Sequence, residues 1–72
     1  MNEQDAINLG FEFVKTYNHD EYRTNRFVNG VIELEFTYID KNLVSSDVTI
    51  QEINCMEVNK EKLYMLNKLL NG

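Results

Sequence analysis

The pair Asn29-Gly30, which lies between two segments of alternating hydrophobicity, constrains this chain more than any other feature. Such a pair is the strongest short-range signal for a β-hairpin, because both residues accept the positive φ angles of a tight turn. Successive side chains of a strand point to opposite faces of its sheet. The strand after the pair therefore has an apolar face of Ile32, Leu34, Phe36 and Tyr38 and a polar face of Glu33, Glu35 and Thr37.

Further turn signals predict a four-stranded antiparallel meander. Short polar residues at 18–20 and 40–42 predict three-residue turns, which place strands at 11–17, 21–28, 31–39 and 43–53. The predicted register sets Phe27 opposite Phe11 and Ile32, and sets Leu34 and Tyr38 opposite Val48 and Val44. For residues 11–17 the alternative is a longer first helix, which would carry Gly10 internally at a cost of about 1 kcal/mol.

A helix is predicted at each end of the chain. Asn2 is a suitable N-cap for a short helix from Glu3 to Leu9, and Gly10 suits the position after it. Asn59 caps a final helix from Lys60 to Leu70, whose apolar stripe of Leu63, Leu66 and Leu70 would pack on the sheet. The sequence therefore predicts one α+β domain over residues 1–72, in the order α-β-β-β-β-α.

The outer face of the predicted sheet carries several acidic residues. The predicted register places Arg26 between Glu12 and Glu33, and it places Glu35 opposite Asp47 without a basic neighbour. Glu33, Glu35 and Asp47 are therefore candidates for docking a Lys- or Arg-bearing protein partner. The alternative is a solvated face that prevents aggregation of the sheet. A flat, exposed pair of carboxylates favours neither catalysis nor calcium binding.

The predicted first hairpin tip is a second candidate contact surface. Tyr17, His19 and Tyr22 would form a small aromatic cluster there, and tyrosine is enriched at protein interfaces. His19 has no second His or Cys at metal-ligand spacing, which favours a turn residue over a metal ligand. Cys55, between the last strand and the last helix, is interpreted as a packed residue rather than a nucleophile.

Composition limits the classes of partner and the compartment. Twelve acidic against seven basic residues give a net charge of -5, which disfavours nucleic acid and anionic membranes as partners. A single cysteine favours a reducing compartment, and the acidic start of the chain does not resemble a signal peptide. We therefore expect a cytoplasmic protein. Ten asparagines without proline or tryptophan are typical of AT-rich bacterial or phage genes.

These observations predict a non-enzymatic protein-interaction module without a metal or cofactor. In size and charge the chain is similar to the short acidic accessory proteins of phages and mobile elements, which implies binding and modulation of a host protein. The alternative is a self-associating subunit, a homodimer for example, that buries the apolar surface around Phe13, Tyr38 and Met65. An enzyme is disfavoured, because no nucleophile, base and oxyanion donors assemble from these residues.

Overall fold

The computed structural model describes residues 1–50 and 53–71, and the side chains of residues 53–55 lie outside the described part. The elements follow in the order α1 (Glu3–Asn8), β1 (Glu12–Asn18), β2 (Arg23–Asn29), β3 (Ile32–Ile39), β4 (Asn42–Ile50), β5 (Ile53–Glu57) and α2 (Lys60–Asn71). All strands belong to one antiparallel sheet, in the order β1-β2-β3-β4-β5. The predicted α+β fold, with a helix at each end of a meander, is confirmed.

The sheet has five strands, so the prediction of four is wrong by one short strand. β4 ends at Ile50, and the segment expected to connect it to the last helix pairs with it instead. Asp47 lies opposite Glu57, and Val48 lies opposite Met56. β5 contains asparagine and glutamate, which are poor strand formers, so the pairing with β4 rather than local propensity determines its conformation.

The turn between β2 and β3 is displaced by one residue from its predicted position. Gly30 and Val31 are the central residues, and Asn29 pairs with Ile32. Gly30 has a φ of +61°, as expected for the glycine that leads a type II′ turn. Phe27 consequently lies opposite Leu34 rather than Ile32. Because this changes the register by two residues, the predicted inner and outer faces of both strands are kept.

The first hairpin also differs from its predicted register. Its loop has four residues, 19–22, and is closed by a hydrogen bond of 2.9 Å from the His19 N–H to the carbonyl oxygen of Tyr22. A bulge at Val14 interrupts β1, and Phe13 rather than Phe11 lies opposite Phe27. The choice of a strand over a longer helix is confirmed, because β1 begins at Glu12.

The third hairpin combines a short turn with a bulge. Asp40 and Lys41 have φ angles of 51° and 70°, so the turn has two residues rather than the predicted three. An extra residue, Val44, compensates within β4, and Leu34 therefore lies opposite Val48 as predicted. Two predictions fail at the bulge, because Tyr38 pairs with Leu43 and Val44 is 53% exposed instead of facing the core.

The core lies between the inner face of the sheet and the two helices. Its buried side chains are Ala6, Phe11, Phe27, Ile32, Leu34, Phe36, Val48, Val58 and Leu63. The apolar stripe predicted for the last helix is buried only in part. Leu63 is inaccessible to solvent and Leu66 packs against the core, but Leu70 is 44% exposed.

Polar contacts fix the helices at both ends. Asn2 and Asp5 form a reciprocal capping box at the start of α1, as the predicted N-cap requires, and the Asn2 N–H lowers the pKa of Asp5. Lys60 Nζ lies 3.6 Å from Asp5 Oδ1, which links the starts of the two helices. At their other ends, Asn29 Nδ2 donates to the carbonyl oxygen of Leu9, the C-cap of α1, at 3.3 Å and to Asn67 Oδ1 of α2 at 2.8 Å.

Neither described helix combines the length and apolar character that crossing a bilayer requires.

Candidate functional site

The outer sheet face is the broadest polar surface that the strands present. Side chains from both helices join the core on the inner face, so the outward-pointing residues of the strands form the other face, on which Thr24 alone is buried. We call these residues the outer sheet face: Glu12, Lys15, Tyr17, Thr24, Arg26, Val28, Glu33, Glu35, Thr37, Ser45, Asp47, Thr49 and Glu57. The face includes all three acidic residues that the sequence predicted as docking candidates.

One line of opposed residues crosses the whole outer sheet face, and we call it the charged row: Lys15, Arg26, Glu35, Asp47 and Glu57. Neighbouring strands are about 4.8 Å apart, so the row extends over roughly 19 Å. It is positive on β1 and β2 and negative on β3, β4 and β5. Sequence reasoning missed its two ends, since Lys15 faces outward only because of the bulge at Val14, and Glu57 belongs to the strand that was not predicted.

Arg26 occupies a different position from the predicted one. It lies opposite Glu35 and not between Glu12 and Glu33, because the second turn is displaced. Arg26 Nη2 lies 3.5 Å from Glu35 Oε1, and each side chain is 32% exposed. The prediction that Glu35 has no basic neighbour is therefore wrong. Within the described residues Asp47 and Glu57 have no ion-pair partner, although their strands lie side by side.

Tyr17 belongs to the outer sheet face rather than to the hairpin tip. Lys15 Nζ and the guanidinium carbon of Arg26 each lie 5.1 Å from the centre of its ring, at a distance typical of cation–π contacts. The Nε atom of Arg26 is buried without a hydrogen-bond partner in the described structure. Tyr17 and Glu35 thus hold the Arg26 side chain against the sheet, at the boundary between the positive and negative halves of the row.

The other two aromatic candidates remain together at the tip of the first hairpin. The rings of His19 and Tyr22 are stacked, with centroids 4.2 Å apart and an interplanar angle of 19°. A cavity of about 230 Å³ opens beside them, between the first loop and the turn after β3. Its charged lining is balanced, with two acids and two bases: Glu21, Asp40, Arg23 and Lys41. This balance gives the cavity no preference for a ligand of either charge.

Tyr38 forms a polar contact between the sheet and α1. Its hydroxyl donates to Glu3 Oε2, and Asn25 Nδ2 donates to the same oxygen at 2.8 Å. Burial raises the pKa of Tyr38 to about 12, and the carboxylate of Glu3 acts in the same direction. Arg23, which lies 5.1 Å from the ring centre, acts in the opposite direction. The phenol is therefore held in its neutral form, as the donor to Glu3.

This contact predicts a loss of stability at alkaline pH. The pKa of Tyr38 is higher in the folded chain than the ordinary value of 10.0, so its stabilising contribution is complete below pH 10 and is lost as the pH rises towards 12. Urea unfolding across this interval should show a steeper fall in the wild type than in Tyr38→Phe. Tyr64→Phe is the matched control, since Tyr64 is 54% exposed. Equal slopes in wild type and Tyr38→Phe would contradict the assignment.

The described residues contain no group of three His, Cys, Asp or Glu side chains arranged to hold a metal ion. The side chain of Cys55 lies outside the described part of the structure, so its predicted packing stays a prediction.

Comparison with known proteins gives no match: no family model, no curated protein and no solved structure is significantly similar to this chain.

Proposed function

We propose that this protein is a non-enzymatic interaction module that docks a basic partner protein on the acidic half of its outer sheet face. The observation that carries the proposal is the charged row. Glu35, Asp47 and Glu57 lie on three neighbouring strands, and the described structure gives the last two no cation.

Repulsion between neighbouring carboxylates in the charged row favours the binding of cations. Like charges directly opposite one another on a sheet destabilise it by about 0.2 to 1 kcal/mol per pair. Two such pairs occur here, Glu35 with Asp47 and Asp47 with Glu57. Lysine or arginine side chains of a partner would relieve this repulsion, and a surface of one sign also accelerates encounter with an oppositely charged protein.

The positive end of the row favours a defined orientation of the partner. Lys15 and Arg26 share the ring of Tyr17, so their charges are fixed at one edge of the sheet. A partner whose basic patch lies over β4 and β5 would be repelled if it were turned by half a revolution. A row with a positive half and a negative half therefore favours one orientation of the partner, which a face of uniform charge would not do.

The net charge of -5 and the small size support a host protein as the partner, as for the phage and mobile-element accessory proteins that the chain is similar to in these properties. The competing interpretation, a face charged only for solubility, predicts no partner whose binding depends on the row.

Neutralising the row tests the proposal. The variant E35Q/D47N/E57Q should lose at least about tenfold in affinity for a partner captured from bacterial lysate, purified and titrated at low and raised salt. Its free energy of unfolding should change by less than about 1 kcal/mol, because removal of two repulsive pairs offsets loss of the partly exposed Arg26–Glu35 ion pair.

The matched control, D20N/E21Q/D40N, removes the same charge from exposed residues in the loops after β1 and β3, away from the row. It should bind as the wild type does and show the same dependence on salt. Equal loss in both variants would indicate a general charge effect, and loss in the control alone would place the contact at the hairpin tips. Either result would refute docking on the row.

A further inference from the structure

α2 carries large apolar side chains outside the side that faces the sheet. Leu63 and Leu66 point towards the core, whereas Tyr64, Met65 and Leu69 are 54%, 62% and 76% exposed. At 100° per residue these three side chains lie on the side of the helix away from Leu63. Large apolar side chains exposed together on one helix often mark a contact surface, so the outward side is the expected position of a further contact.

We infer that α2 packs antiparallel against α2 of a second copy of this chain, about a two-fold axis. The outward side has a definite order along the helix: Glu61 comes first, Tyr64 and Met65 follow, and Lys68 lies beside Leu69. Antiparallel pairing centred near Met65 places Glu61 of each copy close to Lys68 of the other. The surface is therefore complementary to itself, as a two-fold interface requires.

Charge and shape both favour a second copy as the occupant. α2 carries three lysines and one glutamate, and in the antiparallel arrangement the Glu61 carboxylate of each copy meets the Lys68 ammonium of the other. A depression of about 540 Å³ beside Tyr64 and Met65 offers room for an apolar side chain of the other copy. One helix face is a small interface, so we expect a reversible dimer rather than an obligate one.

This inference does not depend on the proposed function, because α2 and the outer sheet face lie on opposite sides of the sheet. The dimer would stack as sheet, helix, helix and sheet. Both outer sheet faces would remain accessible, one on each side.

The positions of Glu61 and Lys68 along α2 give a test that does not require a known partner. Light scattering from about 10 μM to 1 mM should show the mass of the wild type rising from 8.5 kDa towards twice that value. E61K and K68E each create like-charged contacts across the axis, so each should raise the dissociation constant by about tenfold or more. An equimolar mixture of the two variants should dimerise at least as well as the wild type, because both of its cross-helix contacts are again between opposite charges.

Two further variants separate this interface from general effects. M65E should abolish the dimer, whereas V44E, at a site 53% exposed in β4, should leave it intact. Circular dichroism at low concentration should show that every variant is folded. The inference is overturned if the wild type stays monomeric over the whole range, if the mixture of E61K and K68E remains monomeric, or if M65E dimerises as the wild type does.

Discussion

Replacing Phe27 with alanine should lower the free energy of unfolding by about 3 to 5 kcal/mol. The Phe27 side chain is 2% exposed, and its ring meets the rings of Phe13 and Phe36 edge to face, each at 5.6 Å between centroids. Truncation removes both aromatic contacts and leaves a cavity between the sheet and the helices. Stabilities of about 0.05 to 0.15 kcal/mol per residue give a domain of this size roughly 4 to 11 kcal/mol in total. The variant should therefore lose a large fraction of the total stability, and it should unfold at a much lower urea concentration than the wild type.

Urea unfolding followed by circular dichroism measures this loss, and Phe13→Ala supplies the control. Phe13 makes one of the same two ring contacts, but it lies on the edge strand and is 55% exposed. Its truncation should cost about 1 kcal/mol, the value of one edge-to-face contact and a partly buried surface. A cost for Phe13→Ala equal to that for Phe27→Ala would show that the core extends beneath β1 further than the structure indicates.

The alternation of apolar and polar residues predicted which side of each central strand is buried. Leu34 and Phe36 face the core, and Glu33 and Glu35 face outward, because strand period is a local property of the sequence. The displaced turn at Gly30 did not disturb this assignment, since a change of register by two residues returns each side chain to the same face.

Residue partners across the sheet were harder to predict, because they depend on loop lengths and bulges that have no local signature. The bulges at Val14 and Val44 and the four-residue loop at 19–22 each change a register by an amount that only the assembled sheet determines. These register changes gave Arg26 a different ion-pair partner from the predicted one. The sequence indicated that it lies on the outer face, but its actual partner, Glu35, followed from the turn geometry.

The place of Glu57 was missed and the outward side of α2 was predicted only in part, for different reasons. Glu57 belongs to a strand whose residues have weak strand propensity, so its place in the charged row arises only through pairing with β4. The leucines of α2 were interpreted as one stripe against the sheet, because a helical stripe beside an apolar sheet normally is core, whereas Met65 was also assigned to the surface of the alternative self-associating subunit. The exposed fractions of 0% for Leu63 and 76% for Leu69 show which of the leucines belong to the core.

The two proposed surfaces would reinforce each other. A dimer through α2 would present two outer sheet faces in opposite directions, so one assembly would bridge two basic partner molecules or two sites on an oligomer. Binding to a multivalent target would then exceed the affinity of a single face by avidity. M65E separates the contributions, since it should reduce avidity without changing the affinity of one face for one monovalent partner.

Alanine at two leucines of the same helix distinguishes folding from association. Leu63→Ala should lower the free energy of unfolding by about 2 to 5 kcal/mol, because Leu63 is fully buried and joins α2 to the sheet. Leu69→Ala should change it by less than about 0.5 kcal/mol when measured at low protein concentration, because Leu69 is 76% exposed and alanine is a good helix former.

Measuring the unfolding temperature of both leucine variants over a range of protein concentrations separates folding from association. A dimer stabilises the folded state in proportion to the logarithm of concentration, so the unfolding temperature of the wild type should rise with concentration. Leu69→Ala should weaken this dependence while keeping the stability of the monomer. Leu63→Ala should unfold at lower temperature at every concentration. Equal loss of monomer stability in the two variants would mean that α2 has no outward side, and the dimer would then have no interface to form.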